Sequence, residues 1–207
     1  MSGFISIQEF QPYFSMCVTA CATLRKTENE HDEFCKASPA EQKINLQHEH
    51  QMLRQVDEIL SLRVAAPVYA TMALEQLINT VASEALRSLP NTLKHLEKSS
   101  LASKFYVIPA ILCGRELDSA SHAAKSLEDL ISTRNYFTHP KGQSWNMSTA
   151  QDITAVGQKF EAKHAQRCEN ARNADKIARA VLINLAAVDS TETVSRVASE
   201  MGIRLKT

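Results

Sequence analysis

The apolar residues of this chain recur at three- and four-residue steps along its length, and nowhere alternate with period two over the length of a strand. That spacing is the mark of one buried helical face, so the chain is constrained to an all-α fold. Only 5 glycines stand in 207 residues, and Ala, Leu, Glu, Gln and Lys are abundant, which agrees with helix. The sharpest segment runs from Asp118 to Pro140. Asp118 and Ser119 are both good N-caps, and Pro140 disfavours the α conformation at His139. Ala120, Ala123, Ala124, Leu127, Leu130 and Ile131 form one stripe. Its next position is Arg134, where an apolar residue is expected. Asn135 and His139, one turn apart, share the flank of that stripe. The plain structural reading pairs Arg134 with a carboxylate on a neighbouring helix and makes His139 a cap.

Composition narrows the function classes. Basic and acidic side chains balance at 23 each, which argues against a protein that coats nucleic acid but leaves a local basic site open. No apolar run reaches membrane-spanning length, and the first residues lack the basic start and apolar core of a signal peptide. The 5 cysteines are scattered and odd in number, so reduced thiols in a cytoplasm are expected.

Taken in order, residues 4–26 read as a helix with Phe10, Phe14, Cys17, Val18, Cys21 and Leu24 on one face. Cys17 and Cys21 read as small core residues, since no second Cys or His pair follows at zinc spacing. The acidic stretch after Lys26, up to Pro39, reads as a loop or frayed end. A long helix starts near Ser38-Pro39 and carries Ile44, Leu46, Leu53, Val56, Ile59 and Leu60. Pro67 breaks or kinks the chain. The next helix, 68–89, buries Leu74, Leu77, Ile78, Val81, Ala82, Ala85 and Leu89. Glu75 and Asn79 form a polar pair one face over, available to Arg134 or to a ligand. Pro90 stops that helix, a short one follows to Glu97, and residues 101–117 end in a Gly114 turn. Beyond His139, Lys141 and Trp145 stand where a phosphate or a base could be touched. From Thr149 a helical stretch runs to Val188. Its polar middle implies either a helix reaching beyond the globule or two helices. A last amphipathic helix with Val194, Val197, Ala198 and Met201 docks on the domain or on a second subunit.

Three segments in this order carry a resemblance: ALEQLIN (73–79), LASKFYVIPAILCGRELD (101–118) and RNYFTHP (134–140). The chain resembles the HEPN family (higher eukaryotes and prokaryotes nucleotide-binding), in particular its prokaryotic defence and toxin members. That family's hallmark is arginine, a polar residue, three variable residues and histidine at the end of a bundle helix. Here it stands as Arg134-Asn135-Tyr136-Phe137-Thr138-His139. The resemblance covers residues 64–140. It implies an HEPN-like bundle of four to five core helices within residues 1–148. Residues 149–207 lie outside the resemblance and are expected to add an extended C-terminal helical arm. The resemblance further implies a metal-independent endoribonuclease, without cofactor, in a toxin–antitoxin or phage-defence setting. Arg134, Asn135 and His139 would be catalytic, and Lys141, Trp145, Glu75 and Asn79 are candidates for RNA contact. Family members commonly dimerise with two motifs facing across a two-fold axis, and an antitoxin or regulatory protein would be a further partner.

Other readings remain at this stage. One is an HEPN-like module that binds RNA or nucleotide, or assembles, without catalysis. A second is a di-metal bundle using Glu-x-x-His from two helices, with Glu28/His31 and Glu161/His164 as its ligands. With 16 Glu and 7 His, about half an occurrence of that spacing is expected by chance, so two copies are weak support. The third is a purely structural helical domain.

Overall fold

The computed structural model describes residues 11–36, 46–139 and 150–205. Among them are α1 (Gln11–Lys36), α2 (Leu46–Ala85), α3 (Pro90–Glu97), α4 (Leu101–Cys113), α5 (His122–Thr138), α6 (Ala150–Arg172), α7 (Ala174–Val188) and α8 (Thr193–Glu200), and no strand. The expected all-α bundle is the fold. No helix among the described residues is long and apolar enough to cross a membrane. Residues 4–10 with Phe10, the helix start at Ser38-Pro39, Ile44, the Leu46 side chain, and Lys141 and Trp145 lie outside what is described.

The first departure from expectation is Pro67, which sits inside the forty-residue α2 rather than ending a helix. It has no N–H to offer the Arg63 carbonyl, and an interior proline costs a helix about 3 kcal/mol. Packing outweighs that cost. Ala66, Ala70, Leu74 and Leu77 are fully buried around and after the proline, and Ile59 is buried before it. Each large apolar side chain so buried contributes about 1.5–3 kcal/mol, so two of them offset the proline. The stripe of α2 differs from the expected one at its ends. Leu53, Leu60 and Leu89 are exposed, and Leu86 is buried just past the last helical residue.

The second departure is the acidic stretch after Lys26, which is helical to Lys36. Its folding depends on partners far away in sequence. Glu28 accepts hydrogen bonds from Arg63 Nε and Nη2 of α2 (3.1 and 2.8 Å), and Arg172 of α6 closes on its other oxygen at 3.5 Å. Thr27 is buried beside it. On the same helix Phe14, Cys17, Cys21 and Leu24 are buried as expected, while Val18 is exposed. The Cys17 thiol is pushed well above its ordinary range by its hydrogen bond with Cys21 and by burial, so it is a core group.

The long helical stretch after Thr149 is two helices, one of the two arrangements its polar middle allowed. Arg25 of α1 donates to the Arg172 carbonyl at 2.9 Å and to both oxygens of Asp175 at 3.2 and 3.3 Å. A carbonyl at the end of α6 thus finds its partner in a side chain, and the chain restarts after Asn173. The C-terminal residues pack on this chain's own domain. Ala178, Val181, Leu182 and Leu185 of α7, and Val194, Val197 and Ala198 of α8, with Met201, share one core with Leu74, Leu77, Phe105, Leu127 and Leu130.

The turn into α8 is tied by Asp189. Its oxygens accept from the backbone N–H of Val194 (2.7 Å) and Thr191 (2.9 Å), and from the Thr191 hydroxyl. Burial by itself raises this carboxyl. Hydrogen bonds from the Thr191 hydroxyl and from backbone N–H groups of Val194, Thr191 and Thr193 outweigh it and hold the group below the usual carboxylate range. A depressed folded-state value stabilises the fold above the unfolded value, and the effect disappears as pH falls through the folded one. Asp189→Ala should therefore lower stability by about 1–2 kcal/mol near neutrality. In urea melts at a series of pH values, the gap to the parent should narrow on acidification below about pH 4. A gap unchanged at pH 2 would contradict this account.

Candidate site at the end of helix α5

Helix α5 begins at His122, later than Asp118 or Ser119 would place it, because a turn intervenes. Asp118 Oδ1 accepts from the Ala120 N–H at 2.8 Å, and Ser121 caps the helix by accepting from the Ala124 N–H at 3.2 Å. Ala120 is consequently exposed rather than part of the stripe. The helix ends where Pro140 requires it. His139 leaves α geometry at φ −132°, ψ 69°, with its N–H on the Asn135 carbonyl at 2.9 Å.

The stripe continues through Ala123, Ala124, Leu127 and Leu130, all buried, but the fully buried position near its end is Thr133. Thr133 Oγ1 accepts from Nδ2 of Asn170, itself buried on α6, at 3.3 Å. Arg134 is therefore half-buried, at the rim of the core rather than inside it. Its Nε and Nη2 both donate to Asn135 Oδ1, at 3.1 and 2.9 Å. Among the described residues no carboxylate pairs with Arg134. Asn135 and His139 are exposed. The helix end thus presents a cation whose held partner is neutral, with an imidazole one turn on. A guanidinium oriented in this way can take an anionic oxygen without first releasing an acid.

Tyr136 and Phe137, inside the motif, fasten it to the neighbouring helices. Phe137 packs on Leu24, Ile59 and Ala171. The Tyr136 hydroxyl lies 3.2 Å from His164 Nδ1, and the Arg167 guanidinium sits 4.0 Å from the centroid of the Tyr136 ring. His164 Nε2 is in turn 3.5 Å from the Cys168 sulfur. Burial pushes the Cys168 thiol up, so the sulfur here is a neutral thiol rather than an activated thiolate. Sequence reasoning did not gather Tyr136, His164 and Arg167 into the site. The signal was there in part, as two aromatic residues inside the motif and a His-Arg spacing of three on a polar helix.

The remaining candidates are placed as follows. Glu75 accepts from Lys104 Nζ of α4 at 3.0 Å instead of serving Arg134, and the Lys104 side chain is only 1% exposed. Asn79 is half-buried on α2, one turn away. Glu28 and His31 line a cleft of about 290 Å³ with Arg63, Cys168 and Arg172, but the charge of Glu28 is already answered by the two arginines. Glu161 is exposed, and both ring nitrogens of His164 have neighbours. The two Glu-x-x-His pairs do not converge, and among the described residues no group of three or more His, Cys, Asp or Glu is placed to hold a metal ion.

Fold and site together define an all-α bundle that displays an Arg–Asn pair and a histidine at one helix C-terminus. No protein-family model, no curated protein and no solved structure matches this chain.

The buried Lys104 gives a test of the packing between α4 and α2. Removing Glu75 strands a desolvated cation, whereas replacing Lys104 by an apolar side chain removes the need for a partner. Glu75→Ala should lose about 1–2 kcal/mol, less than for a fully enclosed pair because Glu75 reaches water. Lys104→Met should be no less stable than the parent. Thermal melts of both proteins check this, and a less stable Lys104→Met would refute it.

Proposed function

We propose that this chain is a metal-independent endoribonuclease of the HEPN type. The observation that supports this best is the state of Arg134. It is a half-buried guanidinium oriented by a neutral amide, with no acidic partner among the described residues, on the same helix end as an exposed histidine. In the proposed reaction His139 removes the proton of a ribose 2′-hydroxyl. The 2′-oxygen attacks the adjacent phosphorus. The bond to the 5′-oxygen breaks and that oxygen takes up a proton, leaving a 2′,3′-cyclic phosphate and a free 5′-hydroxyl. Arg134 holds the non-bridging oxygens, where charge develops. Asn135 keeps the fork of Arg134 pointed at them.

One helix end supplies one arginine and one histidine. A homodimer with its motifs facing across a two-fold axis would supply two of each, so that one histidine acts as base while the other protonates the leaving oxygen. Two facing guanidinium groups repel each other unless an anion lies between them, which favours occupation by phosphate. A toxin–antitoxin or phage-defence role, with an antitoxin or regulatory protein as partner, belongs to the same reading. So does a cytoplasmic location, with which the five free cysteines agree. The zero net charge favours a second reading, a module that binds RNA or nucleotide without cleaving it.

The test is incubation with total and transfer RNA in the presence of chelator. The parent should cut and leave cyclic-phosphate ends. His139→Ala should lose a factor of about 10²–10⁴ and Arg134→Ala about 10²–10³, with melting temperatures near the parent's because neither side chain is in the core. Full cleavage by both variants would sink the proposal. Binding without cleavage by the parent would select the second reading.

A further inference from the structure

Helix α6 runs alongside the motif, and over residues 159–167 it carries two adjacent rows of side chains, one aromatic and one cationic. Ala171 is fully buried, His164 and Arg167 are half-buried, and Phe160 on the same side is 45% exposed. Burial therefore falls away from Ala171 to Phe160. The Phe160 ring lies parallel to the His164 ring, with 6° between planes and 6.4 Å between centroids. Beside this aromatic row stand Lys159, Lys163 and Arg167, at successive four-residue steps, with both lysines exposed. Like charges at that spacing repel and destabilise a helix. Among the described residues no carboxylate pairs with any of the three. Glu161 and Glu169 are on the same helix, but they point about 100° or more away from the Phe160 line.

We infer that this face of α6 is the substrate platform, on which unpaired nucleotides next to the scissile bond stack a base on Phe160 and lay their phosphates along Lys159, Lys163 and Arg167. The inference rests on the ribonuclease reading and adds its substrate class, single-stranded rather than paired RNA. An aromatic face beside a row of cations is the chemistry that recognises a single strand, since every base has a face to stack and every linkage a charge. A duplex hides its base faces and cannot use Phe160. The platform joins the motif directly, because Arg167 lies over Tyr136 and His164 contacts the Tyr136 hydroxyl. The cations also favour RNA over a second copy of this neutral chain as the occupant.

The experiment uses His139→Ala protein, which binds without cutting, and a single-stranded RNA oligonucleotide carrying 2-aminopurine, beside a hairpin of the same bases. Stacking should quench the probe in the single strand and not in the hairpin stem. Adding Phe160→Ala should abolish the quenching and weaken binding about tenfold, and Phe160→Trp should restore both. Lys159→Ala with Lys163→Ala should lower the salt dependence of binding by one to two phosphate contacts. In the active protein, Phe160→Ala should raise KM for single strands and leave kcat. Unchanged binding and KM in Phe160→Ala would overturn the platform while cleavage by the parent upheld the enzyme. Loss of a dimer on sedimentation of Phe160→Ala would assign the face to a second copy and also overturn it. A parent that neither binds nor cuts RNA would remove the ribonuclease reading itself.

Discussion

Helix α2 has to remain helical across a buried proline, and the bundle depends on its doing so. It touches every other helix among the described residues. Its first half lies on α1 and α6, and its second half fills the centre with Leu74, Leu77, Ile78 and Val81, all without exposure. The missing bond at Pro67 is tolerated because the two halves are held independently from outside. A thiol and a hydroxyl help at the same place. Cys17 Sγ lies 3.6 Å from the Ala66 carbonyl, and Thr71 Oγ1 is 2.9 Å from the carbonyls of Pro67 and Val68.

Around that axis the end of α5 is sorted by face. Thr133 and Phe137 turn inward and Tyr136 turns to α6, while Asn135 and His139 remain outside with Arg134 at the rim. A six-residue motif at a helix end cannot bury both sides. The apolar and aromatic residues fix the position of the polar ones, and among the described residues no loop contributes to that positioning. Sites on rigid elements hold geometry better than sites on connections. The α1/α2/α6 cleft shows the opposite balance. Its acid and its arginines satisfy each other, and it serves to hold α1 down.

Much of this was legible in the sequence. Periodicity reported the helices, Gly114 and His139 marked two helix ends, and the stripes of the apolar helix 68–89 and of the tail named most of the core. What escaped notice shares one physical cause, a partner remote in sequence. Residues 27–36 read as a loop or frayed end because the partners of Glu28, Arg63 and Arg172, come from two other helices. The break at Asn173 carries no proline or glycine; Arg25, nearly 150 residues earlier, makes it. Nothing near Lys104 in the sequence announced Glu75 as its partner. Spacing alone put Arg134 in line with the stripe, one residue from the buried Thr133 that ends it. That the companion of Arg134 is Asn135 rather than an acid could not be read, because adjacent residues on a helix do not ordinarily face each other.

The sharing of one core by α2, α5 and α7 also has a meaning in time. A ribosome releases the motif helix before it releases α7, whose Val181, Leu182 and Leu185 lie against the same apolar residues as α5. Until α7 emerges, that side of the nascent bundle is open to water, and the helix end bearing Arg134 and His139 has neither α6 nor α7 to set its direction. Chains fold as they are made, in units that close only when their last layer arrives. The order of the segments therefore delays assembly of this surface until synthesis of the bundle is nearly complete, and a truncated chain would carry the motif without the framework that orients it.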